Sequence, residues 1–378
     1  MNVLIDNAGF VNKGAELMLF AVKAKIKNSY PNTKFVIRER IASISLEQIK
    51  QEGFYVLKNL DSGKYKMIPD RFTHFLGLIR PSNIDLVLDA GGFQFSDLWE
   101  NRYAEKGNTN DVIREYYRKL KSKGAKIVFL PQAFGPFNEK LSRERIEIIH
   151  EYADLMYARD NTSLKYLTDI VGVSSKIKLA SDFTNLYKPS VPLVNLLPQG
   201  EYIGIIPNQK MITHTDSSVS NNYFDFLLKL CNKLVENGEK IVLLNHEGKG
   251  DFEIIKKLNS KLPEKVITLT DLNAAEVKAV ISRFKLLVSS RFHGVVSGLS
   301  QGIPTFCTGW SHKYEELLND YQVKNNYLPI NSFSESFAKL SSVLEGKNSN
   351  HIQSKEIIDK LKENVDNMWT DIIKNYIN

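Results

Sequence analysis

The sequence predicts an α/β protein built from two doubly wound parallel-sheet domains that face a cleft. Short β-branched runs alternate with amphipathic helical patterns along the chain, which favours parallel sheets covered by helices on both faces. The segment Tyr187–Gly200 carries three prolines and is typical of a linker, and the alternation starts again after it. A length of 378 residues also suits two domains.

These patterns set the expected boundaries. We expect an N-terminal domain over residues 1–190, a C-terminal domain over 201–345, and a C-terminal helix within 350–378 that packs back across the domains. Strands are predicted at Val3–Ile5, Phe35–Ile37, Ile84–Leu88, Lys126–Leu130, Leu155–Ala158, Tyr202–Ile206, Lys240–Leu244, Leu286–Val288 and Thr305–Phe306. Helices are predicted at about 12–26, 110–123, 139–152, 222–236 and 354–376. Ligands of such folds bind at the carboxyl ends of the strands.

Composition excludes several classes of protein. The chain is 43% hydrophobic and 25% charged, which is ordinary for a globular protein. Its two cysteines, Cys231 and Cys307, lie far apart in apolar patterns, so we expect buried thiols rather than a disulfide or zinc site. The start lacks the pattern of a signal peptide, and no 18 apolar residues run together, which predicts a cytoplasmic protein.

The net charge of +7 is compatible with nucleic acid, an anionic membrane face or small anionic substrates. The lysines are scattered and no nucleic-acid motif is present, so nucleic acid is the least favoured of the three partners. Metal-binding patterns, a phosphate-binding loop and a dinucleotide fingerprint are also absent from the sequence. We therefore expect no metal and no cofactor, and the sequence disfavours kinases and dehydrogenases.

Five turns place glycine beside polar or charged residues. They are Asn12–Glu16, Asp89–Phe93, Gln132–Pro136, Asn245–Asp251 and Ser289–Gly294. Glycine lets the backbone approach a ligand, and a helix that starts there offers unpaired amides to an anion. Each turn alone is weak evidence, because α/β proteins need such glycines for packing.

The last turn carries more information than the others. An apolar strand feeds directly into Arg291-Phe292-His293-Gly294, and an apolar helical pattern follows. Burying an arginine and a histidine together is costly unless they are paired or used. Arginine suits a carboxylate or phosphate, and histidine can transfer a proton near neutral pH. The alternative is a structural arginine salt bridge with a histidine cap.

An ordered set of motifs resembles the polysaccharide pyruvyl transferase family over residues 3–320. The set comprises Gly14-x-Glu16, Gly91-Gly92, Gln132-x-x-Gly135-Pro136, Ala158-Arg159-Asp160-x-x-Ser163, Ser181-Asp182-Phe183, Ser290-Arg291-x-His293-Gly294 and Gly302-x-Pro304. The resemblance implies a fold like that of GT-B glycosyltransferases. It also implies a phosphoenolpyruvate-dependent transferase that forms a ketal on sugar hydroxyls of a surface polysaccharide or its lipid-linked precursor.

The resemblance also assigns the site. Arg291 and His293 match the family's best-supported active-site positions, Lys313 matches a basic residue that helps hold the donor, and Arg159 matches the Arg-Asp motif. We expect the amide of Gly294 to join the donor site. Acceptor-binding residues are predicted at Glu16, Gly91, Gly92, Gln132, His246 and Glu247. Phe93 and Ala15 depart from the family pattern, on the predicted acceptor side.

The residues themselves leave the chemistry partly open. His293 is the expected acid for the methylene group of phosphoenolpyruvate or the base for the attacking hydroxyl. One alternative is a GT-B glycosyltransferase that uses a nucleotide sugar, and another is a non-catalytic glycan-binding protein. The expected partners are phosphoenolpyruvate, a glycan or lipid-linked oligosaccharide, and the inner face of the cell membrane through peripheral contact.

Overall fold

The computed structural model describes residues 1–58, 68–69, 72–73, 75–105, 107–192, 196–347 and 349–377. The chain divides into two compact units. The first contains Met1–Phe10, Met18–Phe183 and Asn364–Asn378, and the second contains Val11–Leu17 and Thr184–Glu363. Of the predicted linker, residues 193–195 lie outside the described part of the chain.

Within the described residues, the first unit contains an eight-stranded sheet whose neighbouring strands are all parallel. Its strands are β1 Asn2–Asp6, β2 Lys34–Ile37, β3 Tyr55–Leu57, β4 Leu78–Ile79, β5 Leu86–Asp89, β6 Lys126–Gln132, β7 Leu155–Ala158 and β8 Ile177–Leu179. Their order across the sheet is β4-β3-β2-β1-β5-β6-β7-β8. The chain therefore winds outward in two directions, and the switch lies between β1 and β5.

Helices accompany this sheet in the alternation that the sequence predicts. They are α1 Lys13–Ser29, α2 Glu39–Ala42, α3 Leu46–Gln51, α4 Glu100–Glu105, α5 Asn110–Lys121, α6 Lys140–Tyr152 and α7 Asn161–Val171. Side chains fix where some of them begin: Thr109 accepts a hydrogen bond from the amide of Val112, and Asp160 accepts one from that of Ser163. The first turn of α1 groups with the second unit, and the rest of the helix groups with the first.

Within its described residues, the second unit contains a five-stranded sheet, also with parallel neighbours. Its strands are β9 Tyr202–Ile206, β10 Ile241–Leu244, β11 Ile267–Leu269, β12 Phe284–Ser289 and β13 Thr305–Cys307. The order is β11-β10-β9-β12-β13, so the winding direction changes between β9 and β12. Every residue of β9 is buried, as expected for a central parallel strand.

The helices of the second unit cover this sheet. They are α8 Lys210–Thr213, α9 Ser217–Glu236, α10 Gly248–Lys261, α11 Ala274–Ile281, α12 Phe292–Leu299, α13 Lys313–Asp320 and α14 Phe333–Leu344. The last helix, α15 Lys355–Tyr376, begins in the second unit and groups with the first from Asn364 onward. The prediction that α9 begins near residue 222 was wrong. Asp216 caps the helix by accepting hydrogen bonds from the amides of Ser218 and Val219, so a polar first turn precedes the apolar pattern.

Each unit has its own buried apolar core, including Leu4, Val87 and Phe129 in the first and Ile205, Leu227 and Leu243 in the second. Cys231 and Cys307 are buried free thiols, which confirms that prediction. No helix in the described part of the chain is both long and apolar enough to span a membrane.

Candidate active site

The turn between β12 and α12 lies where the winding direction of the second sheet changes. β12 ends at Ser289, α12 begins at Phe292, and Arg291 occupies the N-cap position. The first amides of a helix have no partner inside it and form its positive end, which favours anions. A side chain at Gly294 would collide with Ser289 and crowd Ile206, so glycine allows α12 to start close against β12 and β9.

A buried polar network fixes the backbone just before Arg291. The carbonyl oxygen of Ser290 accepts hydrogen bonds from the side-chain amide of Asn208, at 2.8 Å, and from the hydroxyl of Tyr314, at 2.9 Å. The hydroxyl of Tyr223 donates to Oγ of Ser290 at 2.7 Å, and that oxygen also lies 2.7 Å from the hydroxyl of Thr308. Because these partners come from different elements, the turn has little freedom to move.

Two carboxylates hold the side chain of Arg291. Its Nε donates to Oδ2 of Asp251 at 2.7 Å and its Nη2 donates to Oδ1 at 2.5 Å, while Nη1 contacts the carboxylate of Glu247. Arg291 is 6% exposed and Asp251 is fully buried. Burial disfavours the charged form of each group, which raises the pKa of Asp251 and lowers that of Arg291, whereas the bidentate contact between them favours the charged pair. The bidentate geometry is that of an ion pair, so the hydrogen bonds offset this cost of desolvation.

The imidazole of His293 is held between the start of α1 and a neighbouring ring. A methyl group at Gly14 would overlap Nδ1 and Cγ of His293, so only glycine fits there without movement. The backbone amide of Gly14 donates to Oδ1 of Asn12 at 2.8 Å, which caps α1. The ring of Phe292 meets the imidazole edge to face at 5.4 Å. These contacts restrict the orientation of His293.

The start of α1 also joins the loop after β10. The amide of Lys13 donates to the carbonyl oxygen of His246 at 3.2 Å, and Asn12 forms a backbone bridge with Glu247. The side chain of Lys13 pairs with Glu16 at 2.7 Å, and Glu16 is buried. Two loops that lie far apart in sequence thus meet beside His293.

His246 is neutral at physiological pH. Its side chain is buried, and burial, followed by electrostatic interactions with Arg291, His293 and Lys13, lowers its pKa well below the usual value. Among the described residues, Nδ1 of His246 has no hydrogen-bond partner. A buried polar nitrogen in this position is suited to a polar group of a ligand.

Lys313 is buried among aromatic rings at the start of α13, with 8% of its surface exposed. Its ammonium lies 4.5 Å from the ring centroid of Trp310, 5.5 Å from that of Phe292 and 5.6 Å from that of Tyr314. Lys210 places a second ammonium 4.9 Å from the Trp310 centroid. Contacts of this kind with aromatic rings stabilise an ammonium group.

The second unit brings seven of the predicted site residues together. They are Glu16, His246, Glu247, Arg291, His293, Gly294 and Lys313. Each unit therefore contains both predicted donor residues and predicted acceptor residues. Arg159 belongs to the first unit, where its Nη1 donates to Asp182 at 3.3 Å.

The predicted acceptor residues of the first unit surround a buried carboxylate. Oδ1 of Asp89 accepts hydrogen bonds from the side-chain amide of Gln132 and the backbone amide of Gly91, both at 3.1 Å. Gly92 is the next residue along the chain. Burial, followed by the charge of Asp6, raises the pKa of Asp89 to about 7. Gln132 is fully buried, and its side-chain amide donates to Asp89. An acceptor role for these residues stays a prediction.

Sequence reasoning missed several members of the site, namely Asn208, Lys210, Tyr223, Asp251, Thr308, Trp310 and Tyr314. Asn208 and Lys210 follow the carboxyl end of the central strand β9, a position where ligands of such folds bind, and this position could have identified them as site residues. Asp251 ends the glycine-bearing turn Asn245–Asp251, but nothing in that turn indicates that it pairs with Arg291. Tyr223 lies on α9, and no local pattern marks it. Among the residues that the structure describes, no His, Cys, Asp and Glu side chains converge to hold a metal ion.

Comparison with known proteins identifies a matching family and solved structures of similar fold. The family model for polysaccharide pyruvyl transferases matches residues 12–312. No curated protein sequence matches significantly. Anabaena HepE, solved with UDP and glucose, is 13% identical over 99% of both chains, with a TM-score of 0.59. UDP-GlcNAc 2-epimerase from Neisseria meningitidis, bound to UDP-GlcNAc, is 11% identical over 99% of this chain and 100% of the epimerase, with a TM-score of 0.59. These likenesses concern the fold, and they confirm the predicted α/β, GT-B-like class.

Proposed function

Because the chain belongs to the polysaccharide pyruvyl transferase family, we propose that it transfers the pyruvyl group of phosphoenolpyruvate to hydroxyl groups of a sugar. The acceptor is a surface polysaccharide or its lipid-linked precursor, and the product is a ketal. The observation that carries this proposal is the convergence of Arg291, His293, Lys313 and the start of α12 in the second unit of a family member.

The chemistry requires proton transfer and stabilisation of an anion. A proton is added to the methylene carbon of phosphoenolpyruvate, and a sugar oxygen bonds to the adjacent C2 while its own proton leaves. A second hydroxyl then attacks C2 and loses its proton, which forms the other C–O bond of the ketal. The bond from C2 to the phosphate oxygen breaks, and inorganic phosphate leaves and takes up that proton. His293, fixed by Gly14 and Phe292, is the group we assign to the proton transfers.

Neighbouring groups have separate roles in this proposal. The start of α12, including the amide of Gly294, and the ammonium of Lys313 attract the negative charges of the donor. Neutral His246 accepts a hydrogen bond from a hydroxyl of the acceptor. Arg159 is proposed to support donor binding, and Glu16, Gly91, Gly92, Gln132 and Glu247 are proposed to support acceptor binding.

Arg291 can bind the donor only if one of the two carboxylates that contact it moves away. Asp251 is fully buried and holds two of its nitrogens, whereas Nη1 contacts Glu247, whose side chain is 26% exposed. Displacing Glu247 is the easier exchange, because a partly exposed carboxylate is readily hydrated when it moves away. We propose that an anionic group of the donor takes the place of Glu247 at Nη1.

Glu247→Gln is therefore expected to increase the affinity for phosphoenolpyruvate severalfold, because a neutral amide competes less strongly for Nη1 of Arg291. Isothermal titration calorimetry of phosphoenolpyruvate measures this change in Kd. Glu239→Gln is the matched control, since Glu239 pairs with Lys285 elsewhere in the same unit. A lower affinity in the Glu247 variant would contradict displacement and would make Glu247 part of the binding surface.

Phosphate release from phosphoenolpyruvate tests the activity itself. The purified protein is incubated with phosphoenolpyruvate and candidate glycans, and the glycan product is analysed by mass spectrometry for the added pyruvyl group. Phosphate release that requires a glycan supports the proposal. Transfer that requires a nucleotide sugar instead would favour a glycosyltransferase, and glycan binding without turnover would favour a non-catalytic protein.

A cytoplasmic location with peripheral contact at the inner face of the membrane also belongs to this proposal. Its support is the net charge of +7, because a basic surface is attracted to anionic lipid headgroups where lipid-linked acceptors lie. Co-sedimentation with vesicles of anionic lipid at low salt measures the contact. Equal recovery with neutral and anionic vesicles would contradict it.

A further inference from the structure

A network of hydrogen-bonded polar side chains lies where the winding direction of the first unit's sheet changes. β1 ends at Asp6 and β5 ends at Asp89, and these two residues are paired across the sheet. Arg38 directly follows β2, the strand on the other side of β1. Ligands of doubly wound folds bind outside the carboxyl ends of the strands at such a change of direction. We call Asp6, Asn7, Arg38 and Asp89 the Arg38 network.

The side chain of Arg38 is held in one orientation. Its Nε donates to Oδ1 of Asp6 at 2.6 Å, and its Nη2 donates to Oδ1 of Asn7 at 2.6 Å. Cζ of Arg38 lies 4.8 Å from the centroid of the Tyr116 ring, and the hydroxyl of Tyr116 donates to Oδ2 of Asp6 at 2.7 Å. Because these contacts already fix the plane of the guanidinium, it loses little freedom when a ligand binds.

The third nitrogen of Arg38, Nη1, is available to a ligand. It forms no hydrogen bond or ion pair with any residue in the described part of the chain. The side chain of Arg38 is 25% exposed, whereas that of Asp6 is fully buried. Nη1 therefore offers an oriented donor to an acceptor atom of a bound molecule.

The carboxyl groups beside Arg38 favour a neutral ligand over an anion. Asp6 already compensates the charge of Arg38, and Nδ2 of Asn7 donates to Oδ2 of Asp89 at 2.6 Å, which places a second carboxyl group in the network. Burial, followed by the charge of Asp6, raises the pKa of Asp89 to about 7, so Asp89 is partly ionised at physiological pH. An anion at Nη1 would therefore meet negative charge, whereas a hydroxyl oxygen accepts a hydrogen bond without adding any.

The Arg38 network continues into the predicted acceptor residues. Oδ1 of Asp89 accepts hydrogen bonds from Gly91 and Gln132, while its Oδ2 accepts from Asn7, the partner of Arg38. We propose that Nη1 of Arg38 donates to a hydroxyl oxygen of a neutral sugar, which makes Arg38 a specificity-determining residue for the acceptor. This inference rests on the proposed function, because it assigns the acceptor glycan to these residues of the first unit.

Arg38→Lys tests the inference. Lysine keeps a positive charge beside Asp6, but its single nitrogen cannot contact Asp6 and Asn7 and also take the place of Nη1. The probe is an array of neutral and uronic-acid-containing oligosaccharides, without phosphoenolpyruvate, and calorimetry then gives the Kd of the neutral oligosaccharide that binds most tightly. We expect the variant to lose about tenfold or more in affinity for it, the effect of removing a hydrogen bond to a charged group. The Kd of phosphoenolpyruvate should stay unchanged.

Arg114→Lys is the matched control. Arg114 lies on α5 of the same unit and pairs with Glu151 at 2.9 Å on the surface, so this variant makes the same chemical change outside the network. It should bind the oligosaccharide as the unaltered protein does. If Arg38→Lys binds it as tightly as Arg114→Lys does, Arg38 is a structural partner of Asp6 and the inference is wrong.

Asn7→Gly keeps the inference testable if thermal unfolding shows that Arg38→Lys does not fold. Asn7 has a φ of 58°, a conformation that glycine adopts readily, and the change removes the amide that orients Nη2 of Arg38. The affinity for the neutral oligosaccharide should fall severalfold. An unchanged affinity would contradict the role of the oriented guanidinium.

Turnover separates this inference from the proposed function. Array binding that depends on Arg38, in a protein that releases no phosphate from phosphoenolpyruvate with any glycan, would support the sugar site and reject pyruvyl transfer. Normal glycan-dependent phosphate release with unchanged oligosaccharide binding in Arg38→Lys would reject the role of Arg38 and keep pyruvyl transfer. If the unaltered protein binds no neutral oligosaccharide, or binds only those with uronic acid, the inference is wrong.

Discussion

His293→Asn is expected to lower kcat by about 10²–10⁴-fold while the protein stays folded, since that is the contribution of a positioned acid–base group. Asparagine retains a hydrogen-bonding side chain at the second position of α12 but cannot transfer the proton. His293→Ala should lose a similar factor. The measurement is the rate of glycan-dependent phosphate release at saturating phosphoenolpyruvate, together with thermal unfolding of each variant.

His150→Asn provides the matched control for this prediction. His150 is also a helical histidine with a hydrogen-bonding partner, Ser174, but it lies on α6 in the first unit. Its variant should retain the kcat of the unaltered protein. Near-normal turnover of His293→Asn would show that the imidazole is a structural group in the turn, and the mechanism proposed above would then be wrong.

The alternation of strands and helices could be predicted from the sequence. Apolar β-branched runs such as Tyr202–Ile206 are buried on both faces, and this local property identifies them without knowledge of the fold. The turn that holds Arg291 and His293 was also accessible, because an arginine and a histidine directly after an apolar strand stand out locally. Helix starts were less accessible, since the cap at Asp216 lies outside the apolar pattern of α9.

The partners of Arg291 could not be predicted, because they depend on contacts between distant segments. Asp251 lies 40 residues away on α10, and its register relative to the β12–α12 turn follows from the packing of the whole sheet. The contact of Gly14 with His293 and the hydrogen bond from Lys13 to His246 also join distant segments, so local sequence patterns do not predict them. The start of α1 groups with the second unit and contacts His293 there.

Those long-range partners also change the interpretation of Arg291. The sequence allowed a donor-binding arginine or a structural salt bridge, and the structure gives this side chain an ion pair while leaving Nη1 against a partly exposed carboxylate. One arginine can hold both roles if Asp251 fixes its plane and only Glu247 is exchanged for the donor. Rigidity then serves binding, because a guanidinium that is already oriented loses less freedom when the donor arrives.

Asp251→Asn is expected to destabilise the protein by about 3–5 kcal/mol, since it leaves the buried charge of Arg291 without its main partner. Asparagine has nearly the volume of aspartate, so the loss reports the charge and hydrogen bonds rather than a cavity. Urea unfolding measures the change in the free energy of unfolding. Glu151→Gln is the control: it removes an exposed ion pair with Arg114, at 2.9 Å, and should cost about 1 kcal/mol or less.

A double variant separates stability from binding. Asp251→Leu with Arg291→Met replaces the buried ion pair with apolar side chains of similar size, which should recover much of the stability that Asp251→Asn loses. The same protein should bind phosphoenolpyruvate poorly, because no guanidinium remains to meet the donor. A loss below about 1 kcal/mol in Asp251→Asn would mean that Glu247 alone compensates Arg291. Arg291 would then hold Glu247 too tightly for the donor to replace it. In that case Glu247→Gln would not increase the affinity for phosphoenolpyruvate.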